Sequence, residues 1–293
     1  MTEEFESKYE NFRSYFTTEL NKLCREIATT PEILGESMKY SLQLGGKRIR
    51  PVLMYSVGEV LGLEREKLTP FACALEFIHT YSLIHDDLPE MDNDDFRRGK
   101  PSNHKTFGTA NALLAGDGLL NTAYSMLFGE CFKGGEYVSA AKFICDAAGI
   151  YGMIAGQSAD IIHENDDEPD EDALEYIYEN KTAKLLIAAV TVPSVLSGGQ
   201  YYSELKQFGK KLGYLFQLTD DILDASGDFS SLGKTPGKDE KENKLTAVKL
   251  YGLDGCRLRV DVIGDDCHKI LDGLQGDVEF LHEMVNFVKA RLN

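Results

Sequence analysis

Two runs of aspartate carry the first chemical signal in the chain. SLIHDDLPEMD occupies 82–92 and FQLTDDILD occupies 216–224, and in each an apolar segment bears an aspartate pair followed by a third aspartate. In the second run Gln217, Asp220 and Asp224 fall at i, i+3 and i+7, on one helix face, with Asp221 about 100° round at its flank. Carboxylates so placed repel one another and weaken the helix that carries them. Phe216, Leu218, Ile222 and Leu223 surround them, so the face is not simply solvated and the cluster calls for a cation. Hard oxygen donors without an accompanying His or Cys set point to Mg²⁺ bridging to a phosphate. In the first run Asp86 and Asp92 would stand about 120° apart on a continuous helix. Pro89 disfavours helical geometry at Leu88 and interrupts the backbone ladder. The helix is therefore expected to end there, letting Asp92 fold back toward Asp86 and Asp87. Either run alone reads equally well as a solvated acidic turn; the two together favour metal.

Basic groups lie close to both runs. Gly45-Gly46-Lys47-Arg48-Ile49-Arg50-Pro51 sets cations beside flexible glycines and a helix start, a good place for an anion. Arg97-Arg98-Gly99-Lys100 follows the first run, Lys181-Thr182 sits mid-helix, and Gly233-Lys234-Thr235-Pro236-Gly237-Lys238-Asp239 follows the second. Taken singly, Arg48, Lys100 and Lys184 read as surface charges. No glycine stretch matches a P-loop or a dinucleotide fingerprint, so a nucleotide is not indicated.

The elements that must position these groups read as helices. Phe12, Tyr15, Phe16, Leu20 and Leu23 recur at three- and four-residue steps, and similar stripes run through 51–61, 68–88, 107–129, 136–162, 171–196, 201–224 and 266–291. Strand signals are poor, with no Asn-Gly hairpin. Gly/Pro/Ser clusters at 45–46, 99–102, 133–135, 197–199 and 226–237 look like turns between helices. The acidic stretch 163–172 reads as a loop running into a helix start. The expected fold is all-α: one domain over residues 1–293, of about ten or more helices.

Composition narrows the function. The chain has 293 residues, 43% of them hydrophobic, and a net charge of −17. That charge, with no basic stripe, argues against a nucleic-acid partner and against adsorption to anionic membranes. No window reaches the roughly 20 apolar residues of a membrane span, and MTEEFESKYE is acidic where a signal peptide is basic. Six cysteines lie far apart without metal-ligand spacing, which suits reduced thiols in a cytoplasmic protein.

The ordered set GGKRIRP (45–51), EFIHTYSLIHDDLPEMDNDDFRRGKPSNHK (76–105), LLAGDGLL (113–120), GQSAD (156–160), KTAKL (181–185), GYLFQLTDDILD (213–224) and GKTPGKD (233–239) resembles the trans-isoprenyl diphosphate synthases, close to the bacterial farnesyl diphosphate synthases. The likeness runs from Gly45 to about Thr246. Ser102 stands where threonine is commoner, and Ala247-Val248 replaces a usual aromatic-proline pair. The resemblance implies antiparallel helices around a deep cavity, usually in a homodimer. It implies about three Mg²⁺ ions, two on Asp86, Asp87 and Asp92 and a third on Asp220, Asp221 and Asp224, with Asp239 acting through water. Arg97, Lys181 and Lys234 would grip an allylic diphosphate, and Lys47, Arg50, His79 and Arg98 isopentenyl diphosphate. Ionisation of the allylic C–O bond, attack by the isopentenyl double bond and proton loss would follow. Lys181, Thr182 and Gln217 would steady the carbocation, and closure of the 226–240 loop would exclude water. Helix geometry alone makes Ser82 the cavity lining; the resemblance assigns that role to Tyr81, as an aromatic stop at fifteen carbons. Farnesyl diphosphate is then the expected product, with geranylgeranyl diphosphate the alternative. A class I terpene cyclase would not need Lys47, Arg50 and Arg98. A non-catalytic synthase subunit is expected to lose aspartates that are all present here.

Overall fold

The apolar recurrence is realised as helix through most of the chain. In the computed structural model, residues 2–27, 29, 31–164, 170–226 and 244–292 are described. Helix α1 (Glu3–Glu26) starts where the Thr2 hydroxyl accepts from the Phe5 amide, and it buries Phe5, Tyr9, Phe12, Phe16 and Leu20 along one stripe. Next come α2 (Glu32–Gln43), α3 (Ile49–Val60) and α4 (Arg65–Asp86). Phe71, Leu75, Phe77, Ile78 and Ile84 bury α4 around most of its circumference, making it the central helix. Then follow α5 (Asn103–Phe107), α6 (Thr109–Glu130), α7 (Gly135–Ala148), α8 (Met153–Ile162) and α9 (Glu171–Ile177). The chain closes with α10 (Lys184–Leu196), α11 (Tyr202–Ser226), α12 (Ala247–Asp272) and α13 (Glu279–Lys289). α6 packs along α4, α10 fits between α11, α3 and α7, and α11 lies against α12. This is the all-α arrangement that the periodicity predicts, around a cavity as the resemblance implies. The first and last long helices meet: the Phe5 ring of α1 stacks on Phe280 of α13 at 5.0 Å, and Tyr9 packs on Phe287 at 5.3 Å.

Four local features differ from the sequence reading. The stripe 136–162 is two helices, because the chain turns sharply at Gly149–Gly152; a Cβ on Gly152 would lie 2.1 Å from the Ala147 carbonyl oxygen. The stretch Gly135–Ile162, which holds an 18-residue window of mean hydropathy 1.3, is the one among the described residues long and apolar enough to cross a membrane. The turn breaks it. The stripe 266–291 likewise divides, at residues 273–278. Inside 171–196 the winding loosens over Tyr178–Ala183 into a π-helical segment. Finally, a short hairpin does exist: β1 (Phe96–Arg97) pairs antiparallel with β2 (Lys100–Pro101). Arg98 and Gly99 form its turn at φ 55° and 73°, the positive pair that matches hairpin twist.

Candidate active site

A cavity of about 1050 Å³ opens between the C-terminal half of α4, the start of α6, α8, the π segment, α11 and residues 244–246. Both aspartate runs reach it. α4 ends at Asp86, and beyond Pro89 the chain returns so that the Asp92 amide donates to the Asp86 carbonyl at 2.9 Å. The fold-back predicted from Pro89 is therefore present. Asp86 Oδ1 accepts from Gln157 Nε2 at 2.8 Å, and Asp92 pairs with Lys244 at 2.8 Å. On α11, Asp220 is paired with Arg291, whose guanidinium stacks 4.5 Å above the Phe216 ring. Asp221 and Asp224 also line the cavity.

The second member of each pair is held inside the protein. Asp87 is 2% exposed and lies outside the cavity wall, gripped by Arg97, which also reaches Asp94 at 3.3 Å. Burial outweighs Arg97 and pushes the Asp87 carboxyl up to about 6. Asp221, 3% exposed, accepts from Gln217 Nε2 at 3.0 Å, from the Ala247 amide at 2.8 Å and from the Tyr178 hydroxyl. It thereby ties α11 to the first turn of α12.

Lys181 and Thr182 belong to the π segment, a winding that recurs at functional sites. Two glycines let neighbouring helices close on that segment. A Cβ on Gly156 of α8 would lie 2.1 Å from the Lys181 nitrogen, and one on Gly213 of α11 would lie 2.4 Å from the Ala183 Cβ. Lys181 Nζ meets Asp160 at 2.5 Å, and the Thr182 hydroxyl donates to Gln217 Oε1 at 2.7 Å. Burial disfavours the Lys181 charge, but Asp86 and Asp160 outweigh it and hold its pKa above the ordinary value.

The remaining cations are arranged unevenly. Arg50 and His79 line the cavity. Arg50 Nε is buried with no partner among the described residues, and burial lowers the guanidinium to about 10. Burial, then Arg50, Arg98, Arg48 and Arg97, push His79 well below 6.5, so its imidazole is neutral at neutral pH. Lys47 and Arg98 are not in the wall: the Lys47 ammonium lies over Phe287 at 5.8 Å, and Arg98 donates to the Gly45 carbonyl. Arg97 is likewise committed to Asp87 rather than to the cavity. Arg48 is not a surface charge; it is buried against Glu76. Lys234 and Asp239, and most of the 226–240 loop, lie outside the described residues.

Tyr81 and Ser82 both line the cavity's apolar length, with Leu113, Met153 and Ile154. The Ser82 hydroxyl donates to the His79 carbonyl at 2.8 Å, whereas the Tyr81 hydroxyl is buried without a partner among the described residues. Sequence reasoning missed Lys244 and Arg291, single cations outside any recognisable spacing, and Tyr178. It gave no role to Gln157, which stood in the GQSAD string.

The donor set suits magnesium. Among the described residues no three carboxylate, imidazole or thiol groups converge on one point. Asp86 and Asp92 on one side and Asp220 and Asp224 on the other are hard oxygen donors facing one cavity with Lys181 and Lys244. Mg²⁺ takes one or two carboxylates from a protein and completes its shell with water and substrate phosphate, so the fit is good.

The polyprenyl synthetase family profile matches residues 31–264. Farnesyl diphosphate synthase of Bacillus subtilis is 41% identical over 269 residues, covering 89% of this chain and 90% of that protein. Geranylgeranyl pyrophosphate synthase 7, chloroplastic, of Arabidopsis thaliana is 42% identical over 269 residues, covering 90% and 78%. The crystal structure of a geranyltransferase from Helicobacter pylori, complexed with magnesium and isoprenyl diphosphate, superposes with a TM-score of 0.82 at 29% identity, over 98% of this chain and 96% of that one. Cavity, carboxylates and likeness agree, and the chain belongs to the polyprenyl synthetase family as a trans-prenyltransferase.

Proposed function

We propose that this enzyme joins isopentenyl diphosphate to dimethylallyl and geranyl diphosphates and stops at farnesyl diphosphate. Asp86, Asp92, Asp220 and Asp224 would hold Mg²⁺, which supplies Lewis-acid neutralisation of the leaving diphosphate. Lys181 and Lys244 stand beside those carboxylates and add positive charge where the allylic diphosphate departs. The Thr182 hydroxyl donates its hydrogen bond to Gln217, which leaves hydroxyl lone pairs free to face an allylic cation. Arg50 and the neutral His79 bind isopentenyl diphosphate on the α3 side. The proton lost after condensation goes to the departed diphosphate, which Lys181 and Lys244 retain. Apolar walls keep water from the cation.

One observation carries the product assignment: Tyr81 stands in the cavity wall, five residues before Asp86, with its hydroxyl unpartnered among the described residues. A ring whose buried hydroxyl makes no bond there contributes to the wall through its bulk. Relatives of nearly equal similarity carry farnesyl and geranylgeranyl names, so the fifteen-carbon reading is supported by the Tyr81 ring rather than by overall identity. Incubation with labelled isopentenyl diphosphate and each allylic primer, followed by sizing of the products, tests the reading. A predominant twenty-carbon product from the native enzyme would reject it.

The working form is proposed to be a homodimer. Phe128 of α6, Phe132, Ile150, Tyr151 and Ile162 of α8 are exposed along the outer side of α6–α8. A run of large apolar side chains facing out favours an interface, and it accounts for the high hydropathy of 135–162. Sedimentation at micromolar concentration checks this; a monomer there would contradict it.

A further inference from the structure

Arg48 carries the chain from the Gly45-Gly46 turn into α3, and it does so in the left-handed region at φ 53°. A side chain of that size rarely adopts this conformation unless surrounding contacts hold it there. Those contacts are in the core. Arg48 Nη1 meets Glu76 Oε1 at 2.5 Å, Nη2 donates to the Leu42 carbonyl at 2.5 Å, and the two ionic side chains are 3% and 2% exposed. Glu76 lies in α4 one turn before His79, on the same face. Arg50 lies two residues beyond Arg48, in the first turn of α3. One ion pair thus joins α3 to α4 close to where each helix sends a side chain into the cavity, Arg50 and His79. Glu76 is also the carboxylate that most opposes the loss of charge that burial imposes on Arg50 and Arg98.

We propose that Arg48 and Glu76 are positioning residues for the isopentenyl diphosphate site, their ion pair holding α3 and α4 in the register that lets Arg50 and His79 converge on one anion. The inference rests on the assignment of Arg50 and His79 to isopentenyl diphosphate. A stability role alone is a weaker reading. Replacing a buried ion pair by apolar side chains is often neutral or stabilising, whereas removing one partner strands a charge. The two roles therefore separate experimentally.

The test is steady-state kinetics and thermal melting of Glu76→Gln, of the double variant Arg48→Met/Glu76→Leu, and of Arg50→Ala. Glu76→Gln is expected to raise KM for isopentenyl diphosphate about tenfold or more and to leave KM for the allylic substrate within about twofold. The double variant should regain Tm without regaining KM. Recovery of both Tm and the isopentenyl KM in the double variant, or equal shifts in both KM values for Glu76→Gln, would overturn the proposal. If the double variant fails to fold, Glu76→Asp decides. Its shorter carboxylate should give an intermediate KM for isopentenyl diphosphate only, and an unchanged KM in this folded variant refutes positioning. Arg50→Ala separates the two failures. An unchanged isopentenyl KM there removes the site assignment; a raised KM there with a normal one in Glu76→Gln removes only the role of the pair.

Discussion

Asp86, Asp220 and Asp221 line the cavity and Asp87 does not, while Asp87 and Asp221 each also satisfy buried donors, and this division separates what their removal should do. Asp86→Ala or Asp220→Ala should cut turnover by orders of magnitude while Tm moves little, because the bonds lost, to Gln157 and to Arg291, are only part-buried. Turnover near normal in saturating Mg²⁺ contradicts the metal assignment. Asp221→Ala should also lower stability, since the Tyr178 hydroxyl and the Ala247 amide lose their acceptor, at about 1–3 kcal/mol for each buried group stranded. Thermal melts of the three variants side by side give the comparison. His79 adds a pH signature. Its folded pKa is depressed below 6.5, so the unfolded chain binds the extra proton first. Its contribution to stability is present above about pH 6.5 and is lost as pH falls below that value. Tm measured from pH 7.5 to 5.5 should fall less steeply in His79→Gln than in the native chain; parallel curves would show that the imidazole is not held neutral. At this scale the aspartate spacing was legible, down to Asp221 at the flank of its face. The partners Lys244 and Arg291 were not, because each joins the site through tertiary approach and leaves no local pattern.

Among the elements, the π segment sets tight demands. Gly156 and Gly213 close on it from two helices, with no room for a Cβ at either position. Gly156→Ala should cost about 1–3 kcal/mol as the backbone at Lys181 is pushed away, and turnover should drop by more than the melting shift suggests, because Lys181 and Thr182 ride on that backbone. Normal turnover in a melted-down variant would mean that the segment serves packing alone. Periodicity could not reveal this winding. A few residues of π geometry change the side-chain register too little to interrupt an apolar stripe, so 171–196 reads as one helix. The hairpin around Arg98-Gly99 was missed for the opposite reason: strands of two residues are too short to alternate. Pro89 was readable, since proline acts on its own neighbours through sterics and a missing N–H.

For the molecule as a whole, the all-helical fold was legible in the repeating stripes, whereas breaks such as Gly149–Gly152 were not, since apolar recurrence continues on both sides of the turn. Product length is a property of the assembled cavity. Tyr81→Ala removes the ring from its wall and should lengthen the product to twenty carbons or more, seen directly by chromatography of the hydrolysed products. An active variant that still yields only the parent product would show that another side chain sets the limit. The meeting of α1 with α13 has a consequence of a different kind. Phe5 and Tyr9 brace the helix that presents Phe287 beneath Lys47 and leads on to Arg291 at Asp220, while the Tyr9 hydroxyl donates to the Lys47 carbonyl. The first turns of the chain therefore act as a wedge behind one wall of the active site. Shaving residues from the start should loosen substrate binding before it unfolds anything.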